Sequence, residues 1–138
     1  MRNKVEVLQW LNWKMGGLGP MLGQNGHFKF YAPDPIPYAQ ERYHTETLRL
    51  YGVLDRRLED REYICTDYSI ADMACFPWVR INKLCGQRIE AFPNVARWYG
   101  EIRSRPAVGR GIEILKDRYV EIADSAEARQ QLFGQSAG

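Results

Sequence analysis

The apolar residues of this chain recur every three or four positions, a spacing typical of amphipathic α-helices, and glycine, proline and charged residues separate the clusters. The first cluster predicts a helix from about Lys4 to beyond Met15, whose core-facing stripe we expect to comprise Leu8, Leu11, Met15 and Leu18. A second helix is predicted from about Tyr38 to Glu59, with a largely apolar face formed by Tyr43, Thr47, Leu50, Leu54 and Leu58.

The third cluster predicts a capped core helix from Ser69 to about Leu84. Ser69 is placed to accept a hydrogen bond from the amide of Asp72, and the Asp72 carboxylate to accept one from the amide of Ser69. A cap of this kind contributes about 0.5 to 2 kcal/mol. The helix is apolar nearly all round, which favours a central position, and its stripe is predicted to be Ile70, Met73, Pro77, Ile81 and Leu84.

Two prolines predict the starts of two further helices. The helix that begins at Pro93 carries an apolar face, and its inward residues are predicted to be Val95, Trp98, Tyr99 and Ile102. Pro106 begins the next helix. No alternating stretch is longer than that of residues 62–65, so the predicted fold class is all-α. We expect one helical domain over residues 1–117 and a C-terminal extension over residues 118–138, where Asp124–Glu127 could cap a short helix.

Composition narrows the possible partners. The chain has 138 residues and a net charge of +2, and its charges are mixed along the sequence, so nucleic acid is not a favoured partner. No apolar run approaches a membrane span, and residues 1–6 do not lead into a signal peptide, so the expected location is the cytoplasm.

The cysteines lie ten residues apart, which fits neither a zinc site nor a redox pair, and we expect free thiols. His27 and His44 lack companions at metal-ligand spacing.

The order of a long helix, a proline-rich connection, a second long helix and a serine-capped core helix resembles the C-terminal domain of glutathione transferases. The shared motifs are the capping residues Ser69 to Asp72, the run Phe92-Pro93-Asn94-Val95 with Trp98, and the run Arg103-Ser104-Arg105-Pro106. Further motifs resemble the bacterial nu class, a disulfide-reductase group: Leu8-Gln9-Trp10, the run from Gly16 to Gln24, and Pro37-Tyr38 with Glu41-Arg42-Tyr43. The resemblance extends from Val5 to about Ile114.

In that family a thioredoxin-like domain holds glutathione and activates its sulfur, while the helical domain forms the facing wall for the second substrate. The present chain shows no βαβ pattern, so we expect the thioredoxin-like domain to come from elsewhere and this chain alone to lack thiol activation. The resemblance implies a second-substrate domain in glutathione-dependent disulfide reduction or thiol transfer, with glutathione or glutathione disulfide as co-substrate and a homodimeric assembly. The alternative is a non-catalytic helical interaction module, because similar domains also serve as assembly platforms.

The resemblance also implies where glutathione is bound. Arg42 matches the glutathione-contacting arginine of the second helix, and a guanidinium can grip a carboxylate with two hydrogen bonds. The alternative is a surface pair between Arg42 and Glu46, worth about 0.3 kcal/mol.

The glycine-rich segment 16–28 has two interpretations of its own. It either joins Tyr38 in lining a substrate cleft, or is simply a turn between helices. The cleft residues under the first interpretation are Met15, Leu18, Met21, Gln24, Asn25 and His27. We assign Ser69 and Asp72 to helix capping and expect no metal site and no catalytic residue in this chain.

Overall fold

The computed structural model describes residues 2–114, 116 and 125–134, which fall into two compact units, Met1–Ser104 and Arg105–Gly138. The described residues contain no β-strand, and the predicted all-α class is confirmed. None of the described helices is long and apolar enough to cross a bilayer. The helices of the first unit are α1 (Arg2–Trp13), α2 (Gly19–Gly26), α3 (Pro37–Arg57), α4 (Ile70–Arg80) and α5 (Pro93–Ser104), and those of the second are α6 (Pro106–Glu113) and α7 (Ala126–Phe133).

The glycine-rich segment is helical, and it contains no loop between α1 and α2. Two π-helical turns, Lys14–Leu18 and His27–Tyr31, flank α2 and make the chain nearly continuous in its helical path up to Tyr31. The interpretation of this segment as a turn between helices is therefore wrong. Its glycines allow close approach instead, because a Cβ atom at Gly26 would lie 2.8 Å from the backbone oxygen of Leu84.

The apolar stripe predicted for the first helix is mostly not buried. Leu18 is fully buried, whereas Leu8 and Met15 are 41% and 57% exposed. Val5 is also exposed on α1. The prediction of a continuous buried stripe is thus wrong for α1, although its periodicity correctly indicated a helix.

Helices α3 and α5 follow their predicted patterns. On α3, the predicted positions Thr47, Leu50 and Leu54 are buried and Tyr43 is half-buried, and Leu58, directly after the helix, is also buried. On α5, Val95, Trp98 and Ile102 are completely buried and Tyr99 is half-buried. These side chains form the core of the first unit together with residues of α4.

Helix α4 buries a different face from the predicted one. Ile70, Met73 and Leu84 are 48%, 51% and 41% exposed, and Pro77 is also exposed. The buried residues of this helix are Ala71, Asp72, Cys75, Phe76 and Val79. The helix also ends at Arg80, about four residues before the predicted end, and turns follow it.

Ser69 and Asp72 form a capping box at the start of α4. The Ser69 hydroxyl accepts a hydrogen bond from the amide of Ala71 at 3.2 Å, and the Asp72 carboxylate accepts one from the amide of Ser69 at 3.0 Å. Asp72 also accepts bonds from the Ile64 amide at 3.0 Å and from the Trp98 indole N–H at 2.9 Å. The completely buried carboxylate therefore ties the preceding connection and α5 to α4.

The second unit contains the predicted terminal helix. The Ser125 hydroxyl accepts a hydrogen bond from the amide of Ala128 at 3.1 Å and so caps α7. Asp124, the other predicted capping residue, and the expected domain boundary at residues 117–118 lie in the part of the chain outside the described residues.

All three cysteines are free, as predicted, and all three are buried. Burial raises the pKa of Cys75 from its ordinary value of 9.0 to about 12 and that of Cys85 to about 11. Burial likewise raises the pKa of Cys65. A thiol with a raised pKa is a poor source of thiolate at neutral pH, which supports a structural role for these side chains.

The buried thiols predict a loss of stability in alkali. Above pH 9 the unfolded chain releases thiol protons that the folded chain retains. The stabilisation from the buried thiols is therefore fully present below pH 9, and it is lost as the pH rises toward the pKa values of Cys75 and Cys85 in the folded protein. For Cys75 we expect a loss of about 1 kcal/mol between pH 9 and pH 10. Urea unfolding at pH 8, 9 and 10 measures this loss. The Cys75→Ala variant should show a shallower dependence, and an equal dependence in both proteins would contradict the assignment.

Candidate functional site

An open cleft of about 310 Å³ lies between α2 and α3. Met21 contributes from α2, and six residues contribute from the first half of α3. Tyr38, Arg42 and Glu46 follow one another at intervals of four residues, which places them on one side of α3. The other lining residues are Glu41, Tyr43 and Thr45.

Aromatic packing and a hydrogen bond fix the wall of this cleft. The Tyr43 ring stacks on Phe28, with ring centroids 5.4 Å apart and planes 6° from parallel. The Gln40 side-chain amide donates to the backbone oxygen of Phe28 at 2.9 Å. The π-helical turn after α2 is therefore attached to α3 beside the cleft, and the relative position of the two walls is defined.

The charges in the cleft leave one guanidinium available. Glu46 accepts two hydrogen bonds from Arg49, at 2.8 and 2.7 Å, and these bonds lower the pKa of the Glu46 carboxyl, with a smaller lowering from the charge of Arg42. Glu41 accepts a hydrogen bond from Thr45 at 3.3 Å. Arg42 is exposed and forms no hydrogen bond or ion pair with any of the residues that the structure describes. Glu46 therefore pairs with Arg49, and the alternative surface pair between Arg42 and Glu46 is not formed.

The structure brings together three of the residues suggested from the sequence. Met21, Tyr38 and Arg42 line the same cleft, and Tyr38 is 77% exposed. Sequence patterns did not assign four other lining residues to the cleft, and their spacing on α3 beside Arg42 is the signal that could have done so: Glu41, Tyr43, Thr45 and Glu46.

The other suggested cleft residues lie elsewhere. Leu18 is completely buried, and Asn25, also buried, donates a hydrogen bond to the backbone oxygen of Cys85. Met15 and Gln24 are exposed outside the cleft lining, and His27 packs edge-on against Phe28. Leu18 and Asn25 therefore pack in the interior of the first unit and have little surface for a ligand.

The arrangement can bind an anion but offers few groups for chemistry of its own. An exposed guanidinium beside a tyrosine and a methionine suits a ligand that carries both a carboxylate and an apolar portion. The buried cysteines do not line the cleft. Within residues 2–114, 116 and 125–134 no group of three or more histidine, cysteine or acidic side chains is placed to hold a metal ion.

Comparison with known proteins places this architecture in a family. The family model described as "Glutathione S-transferase, C-terminal domain" matches residues 26–106. The chain is 54% identical over 114 residues to the disulfide-bond oxidoreductase YfcG of Escherichia coli and covers 52% of that protein with 80% of its own length. It is 39% identical over 121 residues to the disulfide-bond oxidoreductase YghU of the same organism, with 80% of this chain and 41% of that protein covered.

Solved structures agree with these relatives. A glutathione transferase from Pseudomonas putida with one glutathione disulfide bound per subunit superimposes with a TM-score of 0.74 at 41% identity, over 82% of this chain and 52% of that one. One from Burkholderia graminis with two glutathione molecules per subunit gives a TM-score of 0.69 at 42% identity, over 81% of this chain and 50% of that one. The chain spans about half the length of these relatives. It belongs to the glutathione S-transferase family, in which it corresponds to the C-terminal helical domain.

Proposed function

We propose that this chain is the helical second-substrate domain of a protein that performs glutathione-dependent disulfide reduction or thiol transfer. The observation that carries the proposal is the exposed Arg42 guanidinium, which lines the α2–α3 cleft and forms no ion pair or hydrogen bond with any described residue. The names of the relatives YfcG and YghU and the glutathione ligands of the related structures support the same activity.

In this proposal Arg42 binds a carboxylate of glutathione or glutathione disulfide, and Met21 and Tyr38 contact the rest of the ligand. The reaction is thiol–disulfide exchange: a glutathione thiolate forms a bond to one sulfur of a disulfide, and the other sulfur leaves as a thiolate. The raised pKa values of Cys75 and Cys85 speak against either thiol as the nucleophile. Activation of the glutathione thiol is assigned to a thioredoxin-like domain, as the resemblance implies.

The proposal includes a homodimer and a cytoplasmic location. Val5, Leu8 and Met15 are exposed apolar residues near the start of the first unit, and they suit contact with the thioredoxin-like domain of a partner subunit. Three free thiols are compatible with the reducing conditions of the cytoplasm.

Titration calorimetry with glutathione and glutathione disulfide tests the role of Arg42, with the chain alone and with an added thioredoxin-like half. We expect Arg42→Ala to weaken binding by the reconstituted pair about tenfold, because a charge-assisted carboxylate contact is lost. Arg42→Lys should recover part of the affinity by retaining the charge without the two-pronged geometry.

The matched control is Arg56→Ala, which removes an exposed arginine of α3 outside the cleft and should leave the affinity unchanged. If neither the chain alone nor the reconstituted pair binds glutathione or glutathione disulfide, the chain is better explained as a helical interaction module. If Arg42→Ala binds as well as the unmodified chain, the assignment of the cleft is wrong.

A further inference from the structure

Three charged side chains of α3 lie in one row along the helix. Arg42, Glu46 and Arg49 are separated by four and three residues, so Glu46 lies between the two arginines, about one helical turn from each. Side chains at these spacings are neighbours on a helix surface, and either guanidinium can therefore reach the Glu46 carboxylate. Which of the two binds it decides whether Arg42 is available to a ligand in the α2–α3 cleft.

In the structure the Glu46 carboxylate is bound by Arg49. The Arg49 Nε atom donates to one carboxylate oxygen at 2.8 Å and an Nη atom donates to the other at 2.7 Å, so one guanidinium engages both oxygens. These bonds are the largest cause of the lowered pKa of the Glu46 carboxyl, and burial acts in the opposite direction. Arg42 forms no hydrogen bond or ion pair with a residue that the structure describes.

The charges of the cleft show why this arrangement matters for an anionic ligand. The lining contains one guanidinium, that of Arg42, and two carboxylates, those of Glu41 and Glu46, so the lining by itself has a net charge of −1. Arg49 does not line the cleft, but its charge offsets that of Glu46. Without Arg49 a carboxylate that approached Arg42 would meet an uncompensated negative charge one helical turn away, and repulsion would oppose its binding.

The other carboxylate of the lining does not compete for Arg42 in the same way. Glu41 precedes Arg42 directly, and adjacent residues of a helix point about 100° apart. The Glu41 carboxylate accepts a hydrogen bond from the Thr45 hydroxyl at 3.3 Å, in a separate row of α3. Glu46 is therefore the lining carboxylate that is spaced to pair with Arg42, and Arg49 is the side chain that prevents this pairing.

We propose that Arg49 is a positioning residue of the α2–α3 cleft: by binding both oxygens of Glu46, it keeps the Arg42 guanidinium free for a carboxylate of the ligand. The inference rests on the function proposed above, in which Arg42 binds glutathione or glutathione disulfide. Arg49 acts through Glu46 and does not itself line the cleft. Loss of Arg49 should therefore weaken binding only while residue 46 carries a negative charge.

Titration calorimetry with glutathione disulfide, on the chain reconstituted with a thioredoxin-like half, tests this dependence. A salt concentration of about 150 mM screens distant charges, so that the neighbouring carboxylate dominates the result. We expect Arg49→Gln to weaken binding about threefold, a change of the size expected for an exposed ion pair. Glu46→Gln should strengthen binding about twofold, and the double variant should match Glu46→Gln, because no carboxylate remains to pair with Arg42.

The matched control is Arg56→Gln, which makes the same chemical change at an exposed arginine of α3 outside the cleft and should leave the affinity unchanged. An affinity unchanged by Arg49→Gln would overturn the proposal. A loss of the same size in the double variant would also overturn it, because Arg49 would then act without Glu46.

NMR of the arginine side chains tests the pairing in the chain alone and without a ligand. The Nε–Hε signal of Arg42 should shift in Arg49→Gln, where Glu46 is released to pair with Arg42, and should return in the double variant. This result would support the inference even if the reconstituted protein failed to bind glutathione disulfide, a failure that would contradict the proposed function instead. An Arg42 signal that does not respond to Arg49→Gln would overturn the inference.

Discussion

Replacing Asp72 by alanine is expected to lower the free energy of unfolding by about 3 to 5 kcal/mol. The carboxylate is completely buried and accepts hydrogen bonds from the Ile64 amide, the Ser69 amide and the Trp98 indole. The substitution leaves two donors on completely buried residues, Ile64 and Trp98, without this acceptor, at a cost of about 1 to 3 kcal/mol each. Urea unfolding, followed by circular dichroism and tryptophan fluorescence, measures the loss.

Two further variants show which part of the loss belongs to the helix cap. Ser69→Ala removes the hydroxyl that caps α4 and should cost about 1 kcal/mol. Asp67→Ala removes an exposed carboxylate from the same connecting segment and should change stability by less than about 0.5 kcal/mol. A loss in Asp72→Ala no greater than that in Ser69→Ala would show that the bonds to Ile64 and Trp98 contribute nothing.

Two glycines of α2 are expected to respond to alanine in opposite directions. At Gly26 the new Cβ atom would lie 2.8 Å from the backbone oxygen of Leu84, so one backbone must move, and we expect a loss of about 1 to 3 kcal/mol. At Gly23 the nearest atom is 3.5 Å away on the Trp78 ring, an ordinary contact, and alanine should stabilise the helix by up to about 1 kcal/mol.

Unfolding by urea under identical conditions measures both glycine variants. Gly23→Ala is the matched control, because it makes the same chemical change in the same helix. Destabilisation of equal size in both variants would show that α2 resists any side chain, and that the close approach to Leu84 has no special role. Stabilisation by Gly26→Ala would show that α2 and the turn after α4 separate easily.

Sequence patterns located the helices well where apolar and polar residues contrast around the helix axis. Helices α3 and α5 have charged outer faces, so the apolar positions identified the buried side correctly. Helix α4 is apolar nearly all round, and its periodicity contains no such contrast. Its orientation is set instead by Asp72, the acidic residue of its first turn, which lies inward because two donors from other segments, the Ile64 amide and the Trp98 indole, converge on it.

Of the two interpretations of the glycine-rich segment, the turn between helices was wrong because low helix propensity was outweighed by tertiary contacts. Gly26 lies against the backbone of Leu84, and a Cβ atom at Gly19 would lie 3.0 Å from the Trp78 indole nitrogen. Propensity is a local quantity, whereas both contacts join residues more than fifty positions apart.

The candidate site shows the same division between local and distant information. The positions of Tyr38 and Arg42 on one side of α3 follow from their spacing along the helix. The burial of Leu18 and Asn25 depends on how α2 meets distant segments, which spacing does not reveal.

The two π-helical turns have a consequence for how the chain can change in length. In each turn a hydrogen bond spans five residues, from the amide of Gly19 to the oxygen of Lys14 and from the amide of Ala32 to the oxygen of His27, so each holds one residue more than an ordinary helical turn. Deleting one residue from the first turn, which lies between α1 and α2, would restore the ordinary spacing while the two helices kept their relative rotation. Single-residue insertions and deletions in homologues are therefore expected to concentrate at this turn.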